Sequence, residues 1–337
     1  MSVLLVIAGP TASGKSALAL RLAAAAGGMI INADSMQLYR DLRILTARPG
    51  AADEARAPHR LFGILDAGEP ASVGRWLQLA QAAIAEARAA RQPAIVVGGT
   101  GLYLHALLHG LARVPDIPER VRTAARMRLG ERGLPGFRAE LAELDPVMAA
   151  RLRPTDRQRL LRAYEVVVAT GRSLAAWQEM PPVRIDLPEP RLGVALVPPR
   201  AALYQRVERR LRAMVDRGAL EEIRTLLERG LPADLPLMKA LAVPELLAHV
   251  SGRVDLETAL ERAIVQTRRY AKRQITWLRH RLPELRPVAV FGESIDVPAS
   301  WAGAVDRTVF GALGCDRPAS DREGVLDPQE CRGIEGA

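Results

Sequence analysis

The stretch Val3–Ser16, VLLVIAGPTASGKS, constrains this chain more than any other. An apolar run reads as a buried strand, and Gly9-Pro10-Thr11-Ala12-Ser13-Gly14-Lys15-Ser16 matches G-x-x-x-x-G-K-[ST] in full. The Ala/Leu-rich run from Ser16 to Ala26 reads as a helix. Strand, glycine loop and helix in that order make a P-loop. Its glycines let backbone N–H groups turn toward a phosphate chain, and the helix adds its positive N-terminal end. Lys15 supplies a compact ammonium for the outer phosphate, and the Ser16 hydroxyl is suited to reach a Mg²⁺. The sequence therefore calls for a ligand carrying a diphosphate or a triphosphate.

Composition narrows the partner. A chain of 337 residues with 49% hydrophobic and 25% charged residues can bury one large core or two medium ones. The formal charge of +9 favours an anionic partner, nucleic acid first. Of the 47 basic residues, 44 are arginines, so Lys15, Lys239 and Lys272 stand out as places for a point-like ammonium rather than a flat fork. Both cysteines, Cys315 and Cys331, lie near the C-terminus, which argues against a disulfide framework or a Cys-based metal site. The N-terminus lacks the features of a secretory signal, and no apolar run is long enough to span a bilayer. The expectation is a cytoplasmic protein with no membrane partner, acting as a monomer.

Along the chain, MIIN (29–32) reads as a strand ending at Asp34, LFGIL (61–65) as another, and 72–91 as a long helix. PAIVVGG (93–99) reads as a buried strand followed by a helix at Thr100. Such alternation predicts a parallel α/β sheet with its ligand crevice beyond the carboxyl ends of the strands. Asp34 and Thr100 then share an edge with the P-loop. Residues 114–190 change character, with prolines punctuating Arg-rich helical segments, and read as a helical insertion. Strand-like residues return at 192–197, 201–229 reads as one helix with Arg206, Arg209 and Arg210 clustered, 255–281 as a long basic helix, and 287–291 as a last strand. The expected organisation is a P-loop NTPase-like α/β core (1–113 and 191–292), a helical insertion (114–190) and an acidic tail (293–337), disordered from about Cys315.

A P-loop usually serves a hydrolase or a kinase. A hydrolase places an Asp at the end of a second apolar strand to position Mg²⁺, but the strand at 94–97 ends in Gly98-Gly99-Thr100. A small-molecule kinase using ATP fits the first hundred residues and leaves the other two-thirds unexplained. A non-catalytic P-loop protein that binds RNA is the third alternative.

In order, GPTASGKS (9–16), NADSMQLYRDL (32–42), TARP (46–49), PHRLFGILD (58–66), VGGTGLYLHALL (97–108), RPTDRQRLLRAYEVVVATG (153–171) and QTRRYAKRQITWLR (266–279) resemble the bacterial tRNA dimethylallyltransferase (tRNA isopentenyltransferase) family over roughly 3–282. The resemblance implies that the P-loop holds the diphosphate of dimethylallyl diphosphate. The allyl group passes to the exocyclic amine of the adenine just 3′ of the anticodon, in tRNAs reading codons that begin with U.

That amine is a poor nucleophile and needs a base within hydrogen-bond reach, a role the resemblance gives to Asp34. A helix N-cap or a Mg²⁺ ligand is its structural alternative. The departing diphosphate needs preorganised positive charge, implied to come from the P-loop, Lys15, Mg²⁺ at Ser16, and Arg210. Its neighbour Arg209 is left open. Thr100 matches a threonine of the reaction channel and also suits a helix N-cap. A stacked adenine must be turned out of the anticodon loop. Contacts to the tRNA anticodon stem-loop are implied for Asp34, Ser35, Met36, Gln37, Thr100, Arg122, Gln158, Arg159, Leu160, Leu161, Arg162 and the segment Lys239, Ala240, Leu241, Ala242, Val243, Pro244. The chain departs from the family pattern at Ala242-Val243, where Gly-Tyr is usual, and at Leu45, Arg48 and Thr155. None of these removes an implied catalytic group.

Overall fold

A computed structural model describes residues 3–189 and 191–297. Most of the acidic tail, both cysteines included, lies outside the described residues. Six strands, β1 Leu4–Ala8, β2 Met29–Asn32, β3 His59–Arg60, β4 Ala94–Gly98, β5 Arg191–Leu196 and β6 Arg286–Val288, form one sheet in the order β3-β2-β4-β1-β5-β6. Every pairing is parallel. Helices are α1 Lys15–Ala26, α2 Ala51–Glu54, α3 Val73–Ala89, α4 Gly101–His109, α5 Glu119–Leu144, α6 Pro146–Arg151, α7 Arg157–Thr170, α8 Leu174–Gln178, α9 Arg200–Asp216, α10 Ala219–Glu228, α11 Val243–Val250 and α12 Leu256–Arg281.

The unbroken apolar runs of β1 and β4 follow from their position. Both are interior strands buried along their whole length, as parallel strands covered on two faces must be. One face packs Leu5, Ile7, Ile30, Ile95, Val97 and Val194 against Leu18 and Leu22 of α1. Each such buried side chain contributes about 1.5–3 kcal/mol of transfer free energy. Register sets the site. Ala8 of β1 lies beside Gly98 of β4, and Val97 beside Asn32 of β2, so the loops after all three strands leave from one edge.

The chain divides into two compact units, Met1–Leu104 with Leu187 onward, and His105–Asp186. The second contains α5 to α8 around a core of Leu129, Phe137, Leu141, Met148, Leu160 and Val166. Its longest helix, α5, is broken at Gly133 (φ 62°), two residues before Pro135.

Three expected elements differ, one of them the last strand, which ends at Val288 rather than Phe291. LFGIL is not a strand: Leu61 (φ 67°) and Gly63 (φ 62°) turn the backbone out of the extended region, leaving a two-residue strand at His59–Arg60. The single helix expected over 201–229 is two, because Gly218 at φ 100° separates α9 from α10. No helix among the described residues is long and apolar enough to cross a membrane.

Candidate active site

The loop after β1 has the tight geometry its glycines foretell. Ala12 (φ 64°) and Gly14 (φ 85°) are left-handed. A Cβ on Gly14 would lie 2.7 Å from the backbone N of Gly292 and collide with the Glu293 carboxylate, so this position tolerates only glycine. Gln274 of α12 braces the loop from the side. Its Oε1 accepts from Thr11 N (2.9 Å) and its Nε2 donates to Gly99 O (2.8 Å), tying the cradle to the turn after β4. The hydroxyl of Ser13 is buried with no hydrogen-bond partner among the described residues. That of Ser16, at the start of α1, is exposed and takes part in no described hydrogen bond.

Lys15 folds back and donates from Nζ to Pro10 O (3.2 Å). Burial pushes its ammonium down to about 8, against the charge of Asp34 and with that of Arg210. The sign of the resulting linkage is fixed. Below pH 8 the ammonium is already charged; above it, an arriving diphosphate must bring a proton onto the amine. Binding of a diphosphate ligand is therefore expected to weaken as pH rises above about 8. At pH 8.5 it should take up a fraction of a proton, read by calorimetry in two buffers of different ionisation enthalpy. The uptake should vanish in Lys15→Arg.

Asp34 is held just beyond β2 by its neighbours. Its N–H donates to Asn32 Oδ1 (2.8 Å), and Met36 N donates to Asp34 Oδ1 (3.0 Å). Nothing among the described residues donates to Oδ2. Asn32 is itself fixed, because its side-chain Nδ2 donates to Asp34 O and Leu61 O and its backbone carbonyl accepts from buried Trp76 Nε1. Thr100 Oγ1 accepts from Ser35 N (2.9 Å) and donates to Ser35 Oγ (3.3 Å), so it orients the Asp34-Ser35 turn rather than capping α4.

A cavity of about 360 Å³ opens at this edge, lined by Thr11 of the cradle, Asp34, Arg210, Lys239, Tyr270 and Arg273, among others. Arg210 enters it from α9. Burial lowers the Arg210 guanidinium from its usual value while the charge of Asp34 holds it up. Arg209 is exposed and does not line this cavity, although it lines an open surface pocket together with Arg206 and Arg210. An adjoining apolar recess, formed by Leu45, Val207, Leu211, Met214 and Leu241, shares Thr11 and Arg210 with the cavity. An anion-binding surface and an apolar one therefore meet at Arg210.

The wall carrying Leu45 and Thr46 is clamped from two sides. Glu222 of α10 accepts from the backbone N–H groups of Arg43 (2.8 Å), Ile44 (2.7 Å) and Leu45 (3.1 Å). Gln37 donates from Nε2 to Thr46 O and Ala47 O, so its amide N–H groups are committed to the protein.

Other residues implicated by sequence fall into distinct environments. Ser35, Met36, Lys239, Ala240 and Leu241 line the cavity with Asp34. Ala242 and Val243 are buried and Pro244 lies in the first turn of α11, so the first two present no side-chain surface. In the second unit, Arg122 and Arg162 converge on buried Glu165, Gln158 and Arg159 are exposed on α7, Leu161 packs half-buried against the helical core, and Leu160 is inside that core. Lys272 is exposed on α12.

Ala242 occupies a left-handed conformation (φ 68°) at the start of α11, where the resembling sequences usually carry glycine. Ala242→Gly is expected to stabilise the protein by up to about 1 kcal/mol, read as a higher denaturation midpoint in urea.

A parallel sheet with a P-loop on its first strand, and an acid and an arginine converging at the same edge, defines a P-loop α/β protein. The chain belongs to the IPP transferase family: the profile of that family matches residues 37–281, and an isopentenyl transferase profile matches residues 1–65. It is 56% identical over 307 residues to the tRNA dimethylallyltransferase of Rhodospirillum rubrum, covering 91% of this chain and 93% of that one. With the enzyme of the same name from Phenylobacterium zucineum, identity is 56% over 81% of this chain and 88% of the relative. The solved tRNA isopentenylpyrophosphate transferase of Bacillus halodurans superposes with a TM-score of 0.63 at 30% identity, covering 93% of this chain and 97% of the other. A eukaryotic dimethylallyltransferase solved acting on tRNA gives 0.75 at 26% identity, covering 94% of this chain and 80% of the other.

Proposed function

We propose that this protein transfers a dimethylallyl group from dimethylallyl diphosphate to the exocyclic amine of the adenine 3′-adjacent to the anticodon, in the anticodon stem-loop of tRNAs reading codons that begin with U. One observation carries the reading: a single cavity joins the P-loop, through Thr11, to Asp34 and Arg210 and adjoins an apolar recess. A diphosphate, a short hydrocarbon and a base needing deprotonation are the three chemistries those surfaces serve.

In the reaction the bond between the allylic carbon and the diphosphate oxygen breaks, and its electron pair leaves with the diphosphate. The amine nitrogen bonds to that carbon, and its proton moves to the open Oδ2 of Asp34. Lys15, Arg210 and the loop N–H groups face the growing negative charge from fixed positions, so little reorganisation is needed as the bond breaks. The exposed Ser16 hydroxyl, in no described hydrogen bond, would hold a Mg²⁺ beside the diphosphate. No cluster of three His, Cys, Asp or Glu among the described residues offers a dedicated cage. When bound, Mg²⁺ neutralises diphosphate charge.

The test is to react the protein with unmodified tRNA and dimethylallyl diphosphate, digest the tRNA and identify the modified nucleoside by mass spectrometry. Isopentenyladenosine confined to the position 3′ of the anticodon supports the reading. Unmodified tRNA, together with phosphate released or transferred from ATP in a parallel reaction, replaces it with a kinase or hydrolase.

A further inference from the structure

We propose that Tyr270 of α12 is the platform on which the extruded adenine stacks, with the Arg273 guanidinium closing the other part of that wall. The inference rests on the function proposed above and names the residue that receives the base. A base leaving the anticodon stack loses its π contacts, and a pocket that accepts it must restore them on an aromatic ring or a guanidinium plane. Among the described residues, Tyr270 is the one aromatic residue lining the cavity that contains Asp34 and Arg210. Arg273 lines the same cavity, and its guanidinium carbon sits over one face of the Tyr270 ring, 5.6 Å from the centroid.

The segment after Lys239 cannot supply the ring instead. Ala242 and Val243 stand where Gly-Tyr is usual, and both are buried beneath the start of α11. Trp76 and Tyr103, also near this strand end, are stacked on each other with ring centroids 4.5 Å apart, are buried, and do not line the cavity. Tyr270 differs from them. Its hydroxyl makes no described hydrogen bond, and burial together with the charge of Asp34 keeps it un-ionised against the opposing Arg273, so it stays a donor for a base-edge nitrogen. Ring and hydroxyl thus make separable contributions.

The experiment uses the full-length protein and an anticodon stem-loop carrying 2-aminopurine at the target position, which lacks the reacting amine and reports base stacking by fluorescence quenching. Tyr270→Phe and Tyr270→Leu are compared at saturating protein, alongside steady-state kinetics on the natural adenine. Expected are a quenched probe in the wild-type and Phe complexes and a bright one with Leu. The tRNA KM should rise about tenfold to a hundredfold in the Leu variant, with dimethylallyl diphosphate affinity unchanged as evidence of an intact fold. A Leu variant that quenches the probe and binds tRNA like wild type overturns the proposal. So does one whose defect is confined to dimethylallyl diphosphate, which would place the ring against the prenyl group. Should the wild-type protein leave adenine unmodified, the proposed function fails first, a result distinct from either.

Discussion

Asp34→Asn is expected to slow single-turnover transfer by about 10²- to 10⁴-fold, the range for losing a positioned general base. The substitution is close to isosteric and keeps an Oδ1 that accepts from Met36 N, so the turn held by Asn32 and Thr100 persists. What is lost is an acceptor for the amine proton on the side where Asp34 has no partner. Binding of the stem-loop should change little, because the cavity retains Ser35, Met36, Lys239, Tyr270 and Arg273. Rapid-quench kinetics with a labelled stem-loop separates the two quantities. Near-normal turnover in the variant would remove Asp34 from proton transfer, whereas weakened binding at a normal rate would make it a contact to the base.

Arg210→Ala is the second large effect expected, about 10²- to 10³-fold in kcat, comparable with removing one preorganised donor from a developing anion. Arg210 makes no described hydrogen bond to a carboxylate, although the charge of Asp34 acts on it across the cavity. A guanidinium buried without a bonded counterion carries a desolvation cost that an incoming diphosphate offsets. Arg210→Lys should recover only part of the loss, since an ammonium cannot reproduce the bidentate fork. Arg209→Ala is the control: Arg209 is exposed and outside the cavity, and a surface charge of this kind alters encounter with tRNA at low salt rather than the rate of the bound complex. A larger kcat defect for Arg209 than for Arg210 would reverse their assignment.

Much of this is legible in the sequence. The P-loop, the interior strands β1 and β4, and the arrival of Asp34 and Thr100 at one edge follow from apolar runs punctuated by glycine, because local pattern and parallel topology leave little else possible. The strand expected at LFGIL failed because alternation of apolar residues says nothing of Leu61 adopting a left-handed backbone. The division between α9 and α10 had a signal in Gly218, outweighed by a strong amphipathic pattern on either side. In the site, the segment QTRRYAKRQITW carries part of the family resemblance, but sequence assigns no role to Gln274, which braces the cradle, or to Tyr270, which lines the cavity. Glu222 was not legible at all. Its three backbone contacts lie almost 180 residues away in sequence, and an acid in the first turn of a helix reads as dipole compensation.

The most direct measurement is a crystal structure with a non-cleavable thio analogue of dimethylallyl diphosphate, in which sulfur replaces the bridging oxygen. The diphosphate should rest on residues 9–16 within reach of Lys15 and Arg210, with the hydrocarbon in the recess beside Leu45 and Leu241 and the reactive carbon turned toward the cavity that Asp34 lines. A head group seated elsewhere, leaving Lys15 bonded to Pro10 O as in the free protein, would contradict the assignment of the cradle and of every role built on it.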